Sequence, residues 1–312
     1  MSTRRLCAEA SRARGDSLVG SAGPATAWVL VEHRGGWPRA AADDPLFADG
    51  AGRRLLTAAN RTGTRLLLVR RPGRRSHDDS PTKVAVVSQR LGRSWWREHA
   101  GPQDLQAAAH LVEALRDREP DSPEPDGWTQ STDELLLVCA HSQHDPCCAV
   151  HGRATAAALT ADHGPGTWEC SHLGGDRFAG NLLVLPEGVL YGGLDATSAA
   201  DCVAAHRAGR VLVDRLRGIC GLPPYVNAAL ARVWTLYPDL GRARPRVLET
   251  TTLEPGTWLV EVEVPSAVLT VQVRSVSEPA VKLTCHAARP AAPTRLDSGL
   301  TAVASLRSGG EP

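Results

Sequence analysis

The 312-residue sequence predicts an α/β protein. Short apolar runs of strand length alternate with helical stretches as far as residue 222. A proline-rich, charged stretch, REPDSPEPDGWTQ (118–130), interrupts that alternation and marks a boundary. A later alternating run, WLVEVEV, reads as half-buried antiparallel sheet. The predicted parts are an N-terminal α/β segment (1–120), a second α/β domain (131–222), a C-terminal helix with antiparallel strands (223–288) and a disordered tail (289–312).

Trp28 to Glu32 is an apolar run of strand length, and HRGGWPR after it is a turn. Leu55 to Arg61 suits a helix, Thr64 to Arg70 and Lys83 to Ser88 read as strands, and Asp104 to Leu115 is helical. Beyond the boundary, Glu134 to Cys139 is a strand and AHSQHDPCC a polar loop. Ala149 to Ala161 has high helix propensity. Trp168 to Cys170 closes a second strand, and a short turn or helix falls near Arg177 to Gly180. Leu182 to Leu185 and Val189 to Tyr191 flank a tight turn at Glu187-Gly188, and Ser198 to about Leu216 is a helix. This order, β-α-β-α-β-β-α, is that of a thioredoxin-like fold. A helix over Pro224 to Leu236 has proline at its start, and three strands follow near Arg246 to Thr252, Thr257 to Val264 and Val268 to Arg274. The tail is rich in Ala, Pro, Arg, Ser and Gly, a composition that reads as disordered. No internal repeat stands out.

With 35 basic and 34 acidic residues the net charge is +1, unlike the basic field of a nucleic-acid binder. No apolar run reaches the ~18 residues of a membrane span. The start, MSTRRLCAEASRARGD, has positive charge but no apolar core, so no secretory signal is expected and the predicted location is cytoplasmic. The eight cysteines are therefore expected as ligands, redox thiols or core residues, not as disulfides.

Cys139, Cys147, Cys148 and Cys170 fall close together, with His172 just beyond. Cys139 ends a strand, Cys147-Cys148 opens the next helix, and Cys170 and His172 lie where the second strand ends. In a parallel β-α-β unit both strand ends meet at one sheet edge, where open α/β sheets place their sites. Cys148, at a helix start, is expected to favour the thiolate. Glycines 174 and 175 allow close backbone approach. Any one of these cysteines alone reads as core; convergence of the group is what suggests a metal or redox site. The ligand types suit zinc as well as iron, although C-x8-C is not a standard zinc-finger spacing. Cys202 and Cys220 read as core. His141 and His144 read as solvated loop residues, Arg153 and Arg177 as surface ion pairs. RRPGRR (70–75) is a candidate docking patch for an acidic partner, with a solvated loop as the plainer reading. Cys7 has no assigned role, and Cys285-His286 either packs near the site or ends a strand.

VCAHSQHDPCCAVHGR (138–153), WECSHLGGDRFAGNLLVLPEGVLYGGL (168–194) and RGICGLPPYVNAAL (217–230) resemble the sucrase/ferredoxin-like family, the thioredoxin-like ferredoxins. CAEASRARGDSLVGSAGPATAWVLVEHRGGWP (7–38) and VKLTCHA (281–287) extend the resemblance to about residues 7 to 288. The resemblance implies a [2Fe–2S] cluster on a thioredoxin-like domain. Cys139 and Cys148 fit the family's two cysteines, and His172 fits the first histidine of its H-x-G-G-H motif. Asp176 stands where the second histidine is expected. The fourth ligand is then Asp176 or a third cysteine, Cys147 or Cys170; an anionic ligand there lowers the reduction potential. The implied role is electron transfer or redox sensing with a redox partner protein of open identity. A thiol–disulfide oxidoreductase is the alternative, weakened by the absence of C-x-x-C; a structural zinc interaction module is the third. No pair of carboxylates suggests the sugar hydrolase in the family's name.

Overall fold

The strands on the two sides of residues 118–130 join one sheet, not two. The computed structural model describes residues 6–73 and 80–305. A first helix, α1 (Cys7–Arg14), precedes β1 (Ala27–Glu32), α2 (Gly50–Thr62), β2 (Arg65–Arg70), β3 (Thr82–Ser88), β4 (Arg93–His99), α3 (Pro102–Ala114) and β5 (Thr129–Ser131). There follow β6 (Leu135–Cys139), α4 (Pro146–His163), β7 (Thr167–Cys170), β8 (Leu182–Leu185), β9 (Val189–Tyr191), α5 (Ala196–Arg207) and β10 (Leu216–Ile219). The ten strands run in the order β10-β9-β8-β6-β7-β2-β1-β3-β4-β5.

That order is a duplication. In the first half β1 pairs parallel with β2 and antiparallel with β3, and β4 and β5 continue outward. In the second half β6 pairs parallel with β7 and antiparallel with β8, and β9 and β10 continue outward. β2 and β7 meet antiparallel, with Val69 opposite Cys170. The registers make Glu32 the counterpart of Cys139 and Val69 that of Cys170. A pseudo-twofold axis thus passes between Val69 and Cys170. No repeat is visible in the sequence because side-chain identity at matched positions is not preserved, whereas the order of apolar strands and helices is.

Both central strands, β1 and β6, are buried on both faces, which is why they read as continuous apolar runs. On one face Val29, Val31 and Leu68 pack under α2 and α3, and Leu136 and Val138 pack with Ala156, Leu159, Ala199 and Val203 of α4 and α5. On the other, a single apolar cluster crosses the junction, with Trp28, Leu30 and Leu67 beside Leu137, Trp168 and Leu183.

Two expectations are corrected. The short turn or helix expected near Arg177 to Gly180 is a single 3-10 turn, Asp176–Phe178, but the helix expected to reach Leu216 ends at Arg207, so each half reads β-α-β-β-β-α-β. The tail expected as disordered contains β14 (Thr294–Ser305). It completes an antiparallel meander with β11 (Arg246–Glu254), β12 (Thr257–Val264) and β13 (Ala267–Ser277), packed on α6 (Pro224–Leu236). β14 mixes polar and apolar residues and is mostly exposed; its ladder with β13, from Ala267↔Ser305 to Ser277↔Thr294, holds it rather than burial. No described helix is long and apolar enough to cross a membrane.

Candidate metal centre

Cys139 is the last residue of β6, and its neighbour across the parallel pair is Cys170. The chain then loops to Asp145, which caps α4 by accepting a hydrogen bond from the Cys147 amide at 2.9 Å. Pro146 occupies the first helical position, so Cys147 and Cys148 lie in the first turn. One turn on, a Cβ at Gly152 would stand 1.9 Å from the Cys139 carbonyl oxygen. Glycine there lets the helix start rest directly on the strand end. After β7, Gly174 (φ 90°) and Gly175 (φ 72°) turn the chain back, so that Asp176 returns to His172.

The donor atoms of Cys139, Cys148 and His172 all lie within 4.8 Å of one another, and those of His144, His172 and Asp176 do likewise. Nδ1 of His172 is 3.1 Å from Oδ1 of Asp176. The Cys148 thiol donates to the same oxygen at 3.5 Å. The His144 ring stacks on His172, with centroids 3.6 Å apart. All but His144 and His172 are buried.

The charges of this group are coupled. Against the cost of burial, contact with the Cys148 thiol, His172 and the Leu173 amide hold Cys139 well below the usual thiol range. Cys148 is pushed up by the same contact and by burial. Cys139, not the helix-start Cys148, is therefore the favoured thiolate: a sulfur facing two donors outweighs a helix dipole. Burial opposes a charge on His172, but Asp176 and Cys139 outweigh it and lift its pKa to about 9. Asp176 is itself held low, its own burial outweighed by His172.

Neither alternative cysteine joins the set. Cys147 turns to the other side of the helix start, 3.4 Å from the sulfurs of both Cys7 and Cys285. Cys170 packs in the apolar cluster beneath the sheet, its thiol raised by burial. The structure brings Asp176 to Cys148 and His172. Cys202 and Cys220 are buried, as read.

His141 is not solvated: it is 1% exposed. It accepts the His172 amide at Nδ1 (3.2 Å), and its Nε2 faces the Pro38 carbonyl at 2.8 Å. Those two contacts fix the tautomer with the proton on Nε2. Pro38 belongs to the other half of the sheet, which also supplies Arg65 to the His172 carbonyl and the Leu68 amide to Ser171 Oγ. The first half thus positions the site of the second. Its own counterpart of Cys139 is Glu32, held by Arg34 and the Lys83 amide. Arg217, fully buried, donates to the Gly174 carbonyl at 2.8 Å and to Asn181 Oδ1 at 2.9 Å, bracing the turn from below. None of these supports is signalled by spacing, because each partner is remote in sequence.

Arg177 is mostly buried, its Nε 3.7 Å from Asp16, while Arg153 is exposed. In the arginine run, Arg70 pairs with Glu169 at 2.7 Å and Arg71 lies 3.4 Å over the Trp168 ring. Both are engaged internally; Arg74 and Arg75 lie outside the described residues. A cavity of about 440 Å³ lined by Arg39, Arg65, His141, His144 and Ser171 opens on His172.

The donor set suits a thiophilic metal: two buried thiols, an imidazole and a carboxylate. Nδ1 of His172, although 3.1 Å from Asp176, is a buried nitrogen without an aligned hydrogen bond. A metal would satisfy it.

A sucrase/ferredoxin-like family model matches residues 18–218, more than half of the chain. This chain belongs to the sucrase/ferredoxin-like family. The family match contains the whole candidate site but stops short of Cys7 and Cys285. A relative from Meyerozyma guilliermondii, altered inheritance of mitochondria protein 32, is 32% identical over 109 residues, covering 31% of this chain and 36% of that protein. The chain thus spans about a third of that relative's length. No solved structure matches.

Proposed function

We propose that this family member holds a [2Fe–2S] cluster on Cys139, Cys148, His172 and Asp176 and serves as a one-electron carrier or redox sensor. The observation that carries the reading is the convergence of two buried thiols, an imidazole and a carboxylate from a strand end, a helix start and a glycine turn. The order of the second half, β7-β6-β8-β9 with α4 and α5 on one face, agrees with a thioredoxin-like domain.

When bound, such a cluster accepts and returns one electron at a potential set by its ligands and surroundings. The protein residues do the rest. Cys139 needs little further driving to lose its proton, and Cys148 loses its own on ligation. Asp176 contributes a negative charge where a second histidine would be neutral, which lowers the potential. His172, with 22% of its side chain exposed, is the member nearest the solvent, beside the cavity lined by Arg39 and Arg65. A redox partner protein would dock on that face.

Electron paramagnetic resonance of the reduced protein tests the ligand set. The expected result is a [2Fe–2S] signal with one strongly coupled nitrogen, and loss of that coupling in His172→Cys. A signal without nitrogen coupling contradicts the assignment. One observation favours a dithiol enzyme: the Cys148 sulfur lies within 4.8 Å of a Cys139 held low. Burial of both thiols keeps a protein disulfide from reaching them.

A further inference from the structure

Next to the proposed cluster, on the opposite side of the start of α4, three sequence-remote cysteines meet. Cys7 opens α1, Cys147 is in the first turn of α4, and Cys285 lies in the segment between β13 and β14. The Cys147 sulfur is 3.4 Å from that of Cys7 and 3.4 Å from that of Cys285. Oδ2 of Asp145 is 3.9 Å from the Cys7 sulfur, and all four donor atoms lie within 4.8 Å of one another. In a tetrahedron with zinc–sulfur bonds of about 2.3 Å, the sulfurs stand about 3.8 Å apart. The spacing here is close to that edge.

Two further features suit thiolates. The Ala8 amide donates to the Cys147 sulfur at 3.5 Å, and the Cys7 amide to the Cys285 sulfur at 3.4 Å. Asp145 uses Oδ1 to cap the helix and accepts the Cys285 amide on Oδ2 at 2.8 Å, which leaves a lone pair on Oδ2 for a metal. A disulfide would join two of these sulfurs and leave the third thiol and a fully buried carboxylate unused.

We propose that Cys7, Cys147, Cys285 and Asp145 form a second, mononuclear site that binds structural zinc. Binding one Zn²⁺ releases three thiol protons, counted from the fully protonated thiols, and oxidises nothing. The zinc would tie the N-terminal helix and the segment before β14 to the residue adjoining Cys148, and so brace the first site from the side the first half does not reach. Vicinal Cys147 and Cys148 thereby serve two different metals.

The test is metal analysis of the full-length protein, without a histidine tag, beside three variants. The prediction is one zinc per chain in the wild type. Cys147→Ser and the double variant Cys7→Ser/Cys285→Ser lose that zinc while any iron chromophore remains. Cys139→Ser loses iron but keeps zinc, so failure of the cluster reading and failure of this one are distinguishable. Should the Cys147 and Cys7/Cys285 variants not fold, chelator-stripped Cys139→Ser, which lacks a thiolate of the first site, is titrated with Co²⁺: tetrahedral cobalt–thiolate bands of three-sulfur intensity reaching one equivalent support the site. Zinc unaffected by the Cys147 and Cys7/Cys285 substitutions overturns it, as do an absence of cobalt–thiolate bands or a disulfide among these cysteines in freshly isolated, non-reduced protein.

Discussion

Nδ1 of His172 lies 3.1 Å from Oδ1 of Asp176, four residues away across a turn made by two left-handed glycines. The family resemblance expects a second histidine in place of that aspartate. Asp176→His removes one negative charge from the ligand set and should raise the reduction potential by on the order of 100 mV. Protein-film voltammetry of the two proteins measures this; an unchanged potential would show that Asp176 is not a ligand.

The metal-free protein should hold a thiolate and an imidazolium together at neutral pH. His172, lifted to about 9, contributes stability that is complete below its ordinary value of about 6.5 and lost as pH rises through about 9. Cys139, held low, contributes stability that is lost as pH falls through its depressed value and complete above the ordinary thiol value of about 8.5. Between these ordinary values the two trends oppose, so the pair should give little net slope there. In Cys139→Ser the cysteine trend is lost and the His172 trend remains to the extent that Asp176 sustains it, so stability should fall as pH rises through that range. Urea denaturation of the stripped proteins from pH 6 to 9 checks the difference, and nuclear magnetic resonance of the His172 ring locates its titration directly.

Gly152→Ala should be severe for an alanine in a helix. The added Cβ meets the Cys139 carbonyl oxygen at 1.9 Å, a rigid backbone atom that no rotamer change can move away. The helix start must lift, at a cost of about 3 kcal/mol, and Cys148 moves away from Cys139. Chemical denaturation reads the stability loss, and iron retention should fall with it. A neutral result would mean that the helix does not sit on the strand end as described.

Arg217 separates charge from bracing. It is fully buried, and burial lowers its pKa to about 10, yet it donates to neutral acceptors: Ser21, Gly174 and Asn181. Arg217→Met leaves those acceptors unpaired and should cost at least ~3 kcal/mol. Arg217→Lys keeps the charge but not the planar fork, and should recover only part of the loss. Thermal unfolding of the two variants distinguishes the roles; full rescue by lysine would make charge the whole contribution.

Much of this site was legible because its residues sit where chain patterns change. Cys139 ends an apolar run, Cys148 follows a proline at a helix start, and His172 precedes a glycine pair. The supporting contacts were not legible. His141 looked like a loop residue because its partners, the Pro38 carbonyl and the His172 amide, are backbone groups with no sequence signature. The duplication was hidden because Glu32 and Val69 replace Cys139 and Cys170 at matched positions. β14 was missed because its sequence has no apolar run and no regular alternation and its order comes from pairing with β13. β4 (RSWWREH) and β10 were missed for want of a continuous apolar run.

The most direct test is anaerobic purification followed by visible absorption and by iron and acid-labile sulfide analysis. The account predicts brown protein with about two irons and two sulfides per chain, the [2Fe–2S] stoichiometry, and loss of both in Cys139→Ser and Cys148→Ser. Colourless protein that still lacks iron after anaerobic reconstitution would contradict it.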